Sequence, residues 1–165
     1  MAFTVTTIQY NAQMTVTEIL DGNVVGLSDK TVKHTLLNKT IQLDSGTTPP
    51  VTKVASYRQA LVAGAGTIDL TALVGTNGAT VDGSGLKVQA IKLSNPSTNA
   101  NVITATFGAG NPYNLAGAAW SVALLPGQEF LFYGNDATPD IAAGAKDIDL
   151  TGTLVQPLDY SIVMG

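Results

Sequence analysis

Leu86-Lys87-Val88-Gln89-Ala90-Ile91-Lys92-Leu93 is the stretch on which the fold turns. Leu86, Val88 and Ala90 are apolar, Lys87, Gln89 and Lys92 polar, and a period of two predicts a half-buried strand. Ser94-Asn95-Pro96-Ser97 closes it with a turn. The next strand is predicted over residues 101–107, through Val102-Ile103-Thr104-Ala105-Thr106, and a loop over 108–117 carries Asn111-Pro112-Tyr113. Residues 119–124 and 129–133 read as an antiparallel pair around Pro126-Gly127, a type II turn signal. Trp120 begins the first strand of that pair. Alternation puts Phe130 and Phe132 on one face of the second, the core face.

The same grammar extends in both directions. Towards the C-terminus, a loop over residues 135–146 precedes strands over 148–151 and 158–164. Towards the N-terminus, Gly75 to Gly85 is a glycine- and threonine-rich loop with Asn77-Gly78 and Asp82-Gly83, and strands are expected over 67–70 and 51–63. Pro49 and Pro50 make residues 44–50 a loop, since neither can continue a ladder. Further upstream, 32–43 is a long extended segment, with a short helix through Leu36 and Leu37 as the lesser alternative. Phe3-Thr4-Val5-Thr6 and Met14-Thr15-Val16-Thr17 both alternate, and Asp21-Gly22 predicts a hairpin returning through Asn23-Val24-Val25. Roughly ten short strands with turns between them predict an all-β chain, an antiparallel β-sandwich or jelly-roll-like barrel with an N-terminal extended arm or hairpin. The expected organisation is an N-terminal β arm over 1–64, which could belong to the same sandwich, and a main body over 65–165. Ile68-Asp69-Leu70-Thr71 recurs as Ile148-Asp149-Leu150-Thr151, a match of common β residues better read as coincidence than as duplication.

Composition agrees and excludes much chemistry. The chain has 165 residues, no cysteine, one histidine (His34) and one arginine (Arg58), so thiolate sites, multi-histidine metal centres and arginine clusters are out. Glutamate occurs only at Glu18 and Glu129, whereas helix surfaces normally draw on it. A net charge of −4 and a pI near 4.6 argue against a nucleic-acid binder. The N-terminus lacks the pattern of a signal peptide, and residues 116–125, the longest near-apolar run, are too short to span a bilayer. Charged residues are only 12%. That suits either an ordinary threonine-rich β-protein or one that lives assembled, with much of its surface against partners.

Candidate chemistry is sparse. His34 has no Gly-x-Ser-x-Gly elbow to serve and reads as a surface or interface residue. Asp136, Asp140, Asp147 and Asp149 could together hold a hard cation, but their spacing fits no EF-hand, and a solvated loop is the default. The same aspartates are the only candidates for a glycosidase-type pair. Gly75-Thr76-Asn77-Gly78 and Gly83-Ser84-Gly85 lack the strand–loop–helix frame of a phosphate loop and read as turns. Tyr113 and Tyr133 could contribute to a sugar-stacking surface, with core or interface packing as the plainer role. No catalytic, cofactor-binding or metal residue is assigned.

From Leu86 onward the order of segments carries a resemblance. Leu86 to Leu93 with Ser94-Asn95-Pro96 is followed by a Val-Ile-Thr strand and then by Leu124-Leu125-Pro126-Gly127-Gln128-Glu129-Phe130-Leu131-Phe132. A small-residue stretch leads to Lys146-Asp147-Ile148-Asp149-Leu150, and the chain closes on Leu158-Asp159-Tyr160-Ser161-Ile162-Val163-Met164-Gly165. This order resembles small β-sandwich virion proteins of tailed bacteriophages, over about half of the chain. The resemblance implies a non-enzymatic structural protein without cofactor. The expected form is a capsid decoration (cement) protein on the capsid exterior, made in the host cytoplasm, partnered by the major capsid protein and by itself as a homotrimer, with no nucleic acid and no membrane. The alternative is a tail, baseplate or fibre-associated sandwich contacting the host surface. A hydrolase built on the aspartates is the reading from another class.

Overall fold

The computed structural model describes residues 7–12, 16–20, 30–34 and 39–165, those of 16–34 by backbone alone. The described residues contain no helix. The strands are β1 (Ile8–Ala12), β2 (Val16–Leu20), β3 (Lys30–His34), β4 (Lys39–Leu43), β5 (Lys53–Ala60), β6 (Ala65–Asp69), β7 (Leu73–Val74), β8 (Thr80–Val81), β9 (Val88–Ser94), β10 (Ile103–Phe107), β11 (Ser121–Leu124), β12 (Glu129–Tyr133), β13 (Asp147–Thr151) and β14 (Pro157–Met164).

Eight of them form two antiparallel four-stranded sheets, ordered β5-β14-β9-β12 and β6-β13-β10-β11. The order repeats position by position. β5 and β6, β14 and β13, β9 and β10, and β12 and β11 are consecutive pairs that cross between sheets. This is a jelly roll, two interleaved Greek keys, which leaves strand edges only at its sides. The expected all-β sandwich is what forms.

Alternation places Ile91, Leu93, Phe130, Phe132, Leu158, Tyr160 and Ile162 on the inner face of the first sheet. They meet Ile68, Ile103, Ala105, Leu124, Ile148 and Leu150 of the second in one core. Phe130 stacks between Phe132 and Trp120, at centroid distances of 6.3 and 6.4 Å. The recurring Ile-Asp-Leu-Thr segments are direct neighbours, with Ile68 opposite Ile148 across the β6–β13 ladder.

The deciding strand departs from plain alternation. Pairing between β9 and β14 slips between Val163 and Met164. This bulge keeps Val88 in the core with Ile91 and Leu93, while Ala90 faces outward into a second, smaller cluster. An extra residue in one strand flips the side-chain phase. The glycine-rich loop also holds a short hairpin the sequence reading did not foresee. β7 and β8 pair around Gly75–Ala79, and Leu73 is buried.

β1 and β4 pair from Ile8↔Leu43 to Ala12↔Lys39, and β2 and β3 from Val16↔His34 to Leu20↔Lys30. Each pair is a two-stranded antiparallel ribbon of its own. The extended segment read over 32–43 is thus two strands. The predicted turn at Asp21-Gly22, its return through Asn23 to Val25, the strand from Phe3 to Thr6 and the alternative helix at Leu36 and Leu37 lie outside the described residues. Leu43 with Ile8 and Ile41 anchors the β1–β4 ribbon on the outer face of the first sheet, against Ala90, Val163, Val54 and Tyr133. Tyr10 packs on Tyr133 at 5.2 Å, and the Lys39 ammonium lies 5.0 Å from the same ring.

Ion pairs staple the sheets at their surfaces. Arg58 holds Asp159 through two bonds of 2.7 and 2.8 Å, and Lys146 binds Asp69. Burial raises the Asp69 pKa, but donors from Lys146 and Thr71 outweigh it, and the carboxyl sits below its ordinary value. Asp159 is lowered chiefly by its bond to Arg58. Carboxyls depressed in the folded state stabilise it above their unfolded pKa of about 3.9, and that contribution is lost as pH falls through the folded values. Acid titration followed by circular dichroism should therefore show stability falling below about pH 4. The double variant Asp69→Asn, Asp159→Asn should be less stable at neutral pH and show a flatter acid limb.

Candidate functional site

All four sheet-crossing turns, β5–β6, β9–β10, β11–β12 and β13–β14, lie at one end of the jelly roll. Register requires it, because Ala60 sits opposite Pro157, Ser94 opposite both Glu129 and Asp159, Thr151 opposite both Ala65 and Thr104, and Ile103 opposite Leu124. Each turn carries a large exposed aliphatic side chain. Val62 is 77% exposed, Leu154 73%, Val155 71%, Leu125 57% and Val102 40%. Residues 62–64, 95–102, 125–128 and 152–156 contain no Asp, Glu, Lys, Arg or His. Isolated surface aliphatics are ordinary, but five on one uncharged end make it the candidate interaction surface among the described residues.

Buried amides hold this end together. Asn95 is fully buried. Its Nδ2 donates to the carbonyls of Leu124 and Asn101 at 2.7 and 3.1 Å, and its Oδ1 accepts from Asn99 Nδ2 at 2.6 Å. Asn99 Nδ2 also reaches the Pro157 carbonyl, and Gln156 Oε1 accepts from the Asn101 N–H. The β5–β6 turn joins through Gly64 N–H to Leu154 O and Leu61 N–H to Gln156 O. Gly127, at φ 83°, supplies the predicted type II turn, closed by Gln128 N–H to Leu125 O at 2.9 Å. Ala63 (φ 50°) and Leu154 (φ 57°) adopt left-handed backbone without being glycine, at a cost of about 1 kcal/mol or more each. The aliphatic side chains thus sit on a preorganised frame.

The opposite end holds the other candidates and separates them. Asp136 and Asp140 flank Lys87, with Oδ1 atoms 3.3 and 3.9 Å from its ammonium. Asp147 and Asp149 lie on the outer face of the second sheet. Asn111 donates to Asp147 at 3.1 Å, and Thr67 and the Ala109 N–H donate to Asp149 at 2.9 and 2.8 Å. The four carboxylates do not converge, because β13 carries the last two away from the loop that holds the first two. Among the described residues no group of three or more such side chains could hold a metal.

Tyr113 takes the plainer of its two expected roles, core packing. Its ring is fully buried, its hydroxyl donates to Pro139 O at 2.8 Å and accepts from Val88 N–H at 3.1 Å, so it offers no surface for a sugar. Tyr133 is packed under Tyr10 and Lys39 of the β1–β4 ribbon. Gly75-Thr76-Asn77-Gly78 forms the β7–β8 turn, with Gly75 N–H bonded to Ala79 O and Gly78 N–H to Gly75 O. His34 sits opposite Val16 in the β2–β3 ladder, and its side chain lies outside the described residues.

The apolar end was missed from sequence. Its signal was available in Thr153-Leu154-Val155, apolar residues placed where turns normally carry polar ones. Compared with protein-family models, curated proteins and solved structures, the chain matches none.

Proposed function

We propose that this chain is a non-enzymatic structural protein of a tailed-bacteriophage virion, a capsid decoration protein that binds between capsomers on the head exterior and stabilises it. The observation that carries the reading is the charge-free end tipped with Val62, Val102, Leu125, Leu154 and Val155. A preorganised apolar plate loses little entropy on docking and gains from each aliphatic group it buries. The jelly roll supports the reading at the level of architecture, since viral capsid domains use it, as do lectins. In this reading the protein is made in the host cytoplasm and acts as a homotrimer at local three-fold positions, with the major capsid protein as partner. Weak contacts repeated around a shell gain through avidity.

Quantitative mass spectrometry of purified virions tests it. A copy number that scales with the major capsid protein is expected. A few copies confined to the tail would move the protein to a tail or fibre role, and absence from the particle would overturn the virion reading. The contact face is tested by Leu154→Asp, Val155→Asp. Burying each aliphatic side chain contributes about 1.5–3 kcal/mol. The double variant should bind undecorated heads at least about a hundredfold more weakly, at tenfold per 1.4 kcal/mol. Its melting temperature should barely move, because both side chains are exposed.

A further inference from the structure

The β1–β4 ribbon lies against the outer face of the first sheet without joining it. Neither strand pairs with a strand of the two four-stranded sheets. Leu43, Ile8 and Ile41 pack on Val54, Ala90, Val163 and Tyr133 in a cluster separate from the core of the sandwich. The inward residues Ile8, Tyr10 and Ala12 are only half-buried, and Gln9 and Asn11 are exposed. The loop that follows β4 is closed by its own bonds. Val51 N–H donates to Asp44 O at 2.9 Å, Gly46 N–H to Asp44 Oδ1 at 2.7 Å and Thr47 Oγ1 to Pro49 O at 2.9 Å. Gln89 lies against that loop. Ala90 pairs with Val163 and Val88 with Met164, so Gln89 is the extra residue of the bulge. It is fully buried, and its Nε2 donates to Pro50 O at 2.8 Å. Its Oε1 meets no donor among the described residues. A buried acceptor without a partner costs free energy, which offsets part of what closure of the loop gains.

We infer that β1, β4 and the loop over 44–50 form a strap that opens as one unit from the outer face of the first sheet while the sandwich stays closed. The hinge falls at Val51 and Thr52. Val51 closes the loop onto Asp44, and Thr52 N–H makes the first backbone bond to the body, to Met164 O at 2.9 Å. Opening breaks no rung of either four-stranded sheet, because no described ladder crosses the boundary. It uncovers Val54, Ala90 and Val163 on the body and Ile8, Ile41 and Leu43 on the strap. It also returns water to Gln89 Oε1. Elements held by few apolar contacts open at free energies below that of global unfolding. A two-stranded ribbon is marginal once it leaves its seat, so β1 and β4 lose their ladder together.

Hydrogen exchange of the full chain, read peptide by peptide by mass spectrometry, tests this. Amides of β1 and β4 should be protected equally, within about threefold, and should exchange at least about a hundredfold faster than those of β9 and β14. Tyr10→Ala removes an aromatic partner of Tyr133 from the strap side. It should speed exchange in β1 and β4 by about tenfold and leave β9, β14 and the melting temperature unchanged. Lys39→Ala, which removes the ammonium over the same ring, should speed it by about threefold. Equal protection in all four strands would mean that the strap opens only with the whole sandwich. Absent protection in β1 and β4 would mean that it never closes, and unequal protection would mean that the two strands fray singly. Faster exchange in β9 and β14 of the Tyr10→Ala variant would place the strap inside the sandwich's cooperative unit. Each of these results overturns the inference. None of them involves a virion, so the strap and the capsid role stand or fall separately.

Discussion

Tyr113→Ala is expected to destabilise the fold by about 5 kcal/mol, the largest effect of any single substitution considered. Truncating a buried aromatic residue costs about 3–5 kcal/mol through lost burial and the cavity left behind. The hydroxyl adds to this. β12 ends at Tyr133, opposite Ala90, so among the described residues Val88 has no strand partner on that side. Its N–H is taken by the Tyr113 hydroxyl and its carbonyl by Thr138 Oγ1. Without Tyr113 the Val88 N–H and the Pro139 carbonyl lose their partner, at about 1–3 kcal/mol for each buried orphan. At 2–4 °C per kcal/mol for a chain of this size, the melting temperature should drop by about 10–20 °C. Tyr113→Phe separates the two contributions and should cost about 2 kcal/mol. Retention of wild-type stability by the phenylalanine variant would show that the hydroxyl bridge contributes nothing. Burial also raises the phenol pKa. Its stabilisation is complete below the unfolded value near 10 and is lost as pH rises through the folded one, so Tyr113→Phe should soften the alkaline limb of unfolding.

Asn95→Ala is expected to cost about 3 kcal/mol and, on the proposed capsid role, to weaken docking although none of the proposed contact residues is touched. The substitution strands the carbonyls of Leu124 and Asn101 and the amide of Asn99, the links that tie the β9–β10 turn together and to the β11–β12 turn. Calorimetry should show a melting temperature about 6–12 °C lower. Binding to undecorated heads, measured well below that transition, should fall with Leu154 and Val155 still in place. Undiminished binding would mean that the aliphatic side chains do not need the amide frame.

Much of the fold was legible because its strands obey simple period-two rules. Residues 129–133 matched β12 fully, and Phe130 and Phe132 face the core as alternation required. β10, β11, β13 and β14 were found to within two residues at their ends. What the sequence concealed depends on the third dimension. The bulge that turns Ala90 outward is set by pairing with Val163 and Met164, seventy residues away. The carboxylates from Asp136 to Asp149 are close along the chain and apart in space. Tyr113 lay in a predicted loop, where no local pattern marks a side chain as the plug of a core. The apolar end was hidden for the opposite reason. Val62, Val102, Leu125, Leu154 and Val155 are scattered along the chain, and only the repeated crossing between sheets gathers them.

That crossing also governs how the chain can be made. β5 ends at Ala60, and its one ladder partner among the described residues, β14, begins at Pro157. At 5–20 residues per second, a ribosome needs roughly 5–20 s to supply the missing partner. During that interval β5 and β9 both lack the strand that separates them in the finished sheet. Nascent chains in this window present unpaired strands to one another, and loop closures of this length are slow to form. Shortening the chain at its C-terminus by a single strand would remove the central member of a sheet. Synthesis of β14 therefore decides whether the earlier strands close into the sandwich or stay open to aggregation.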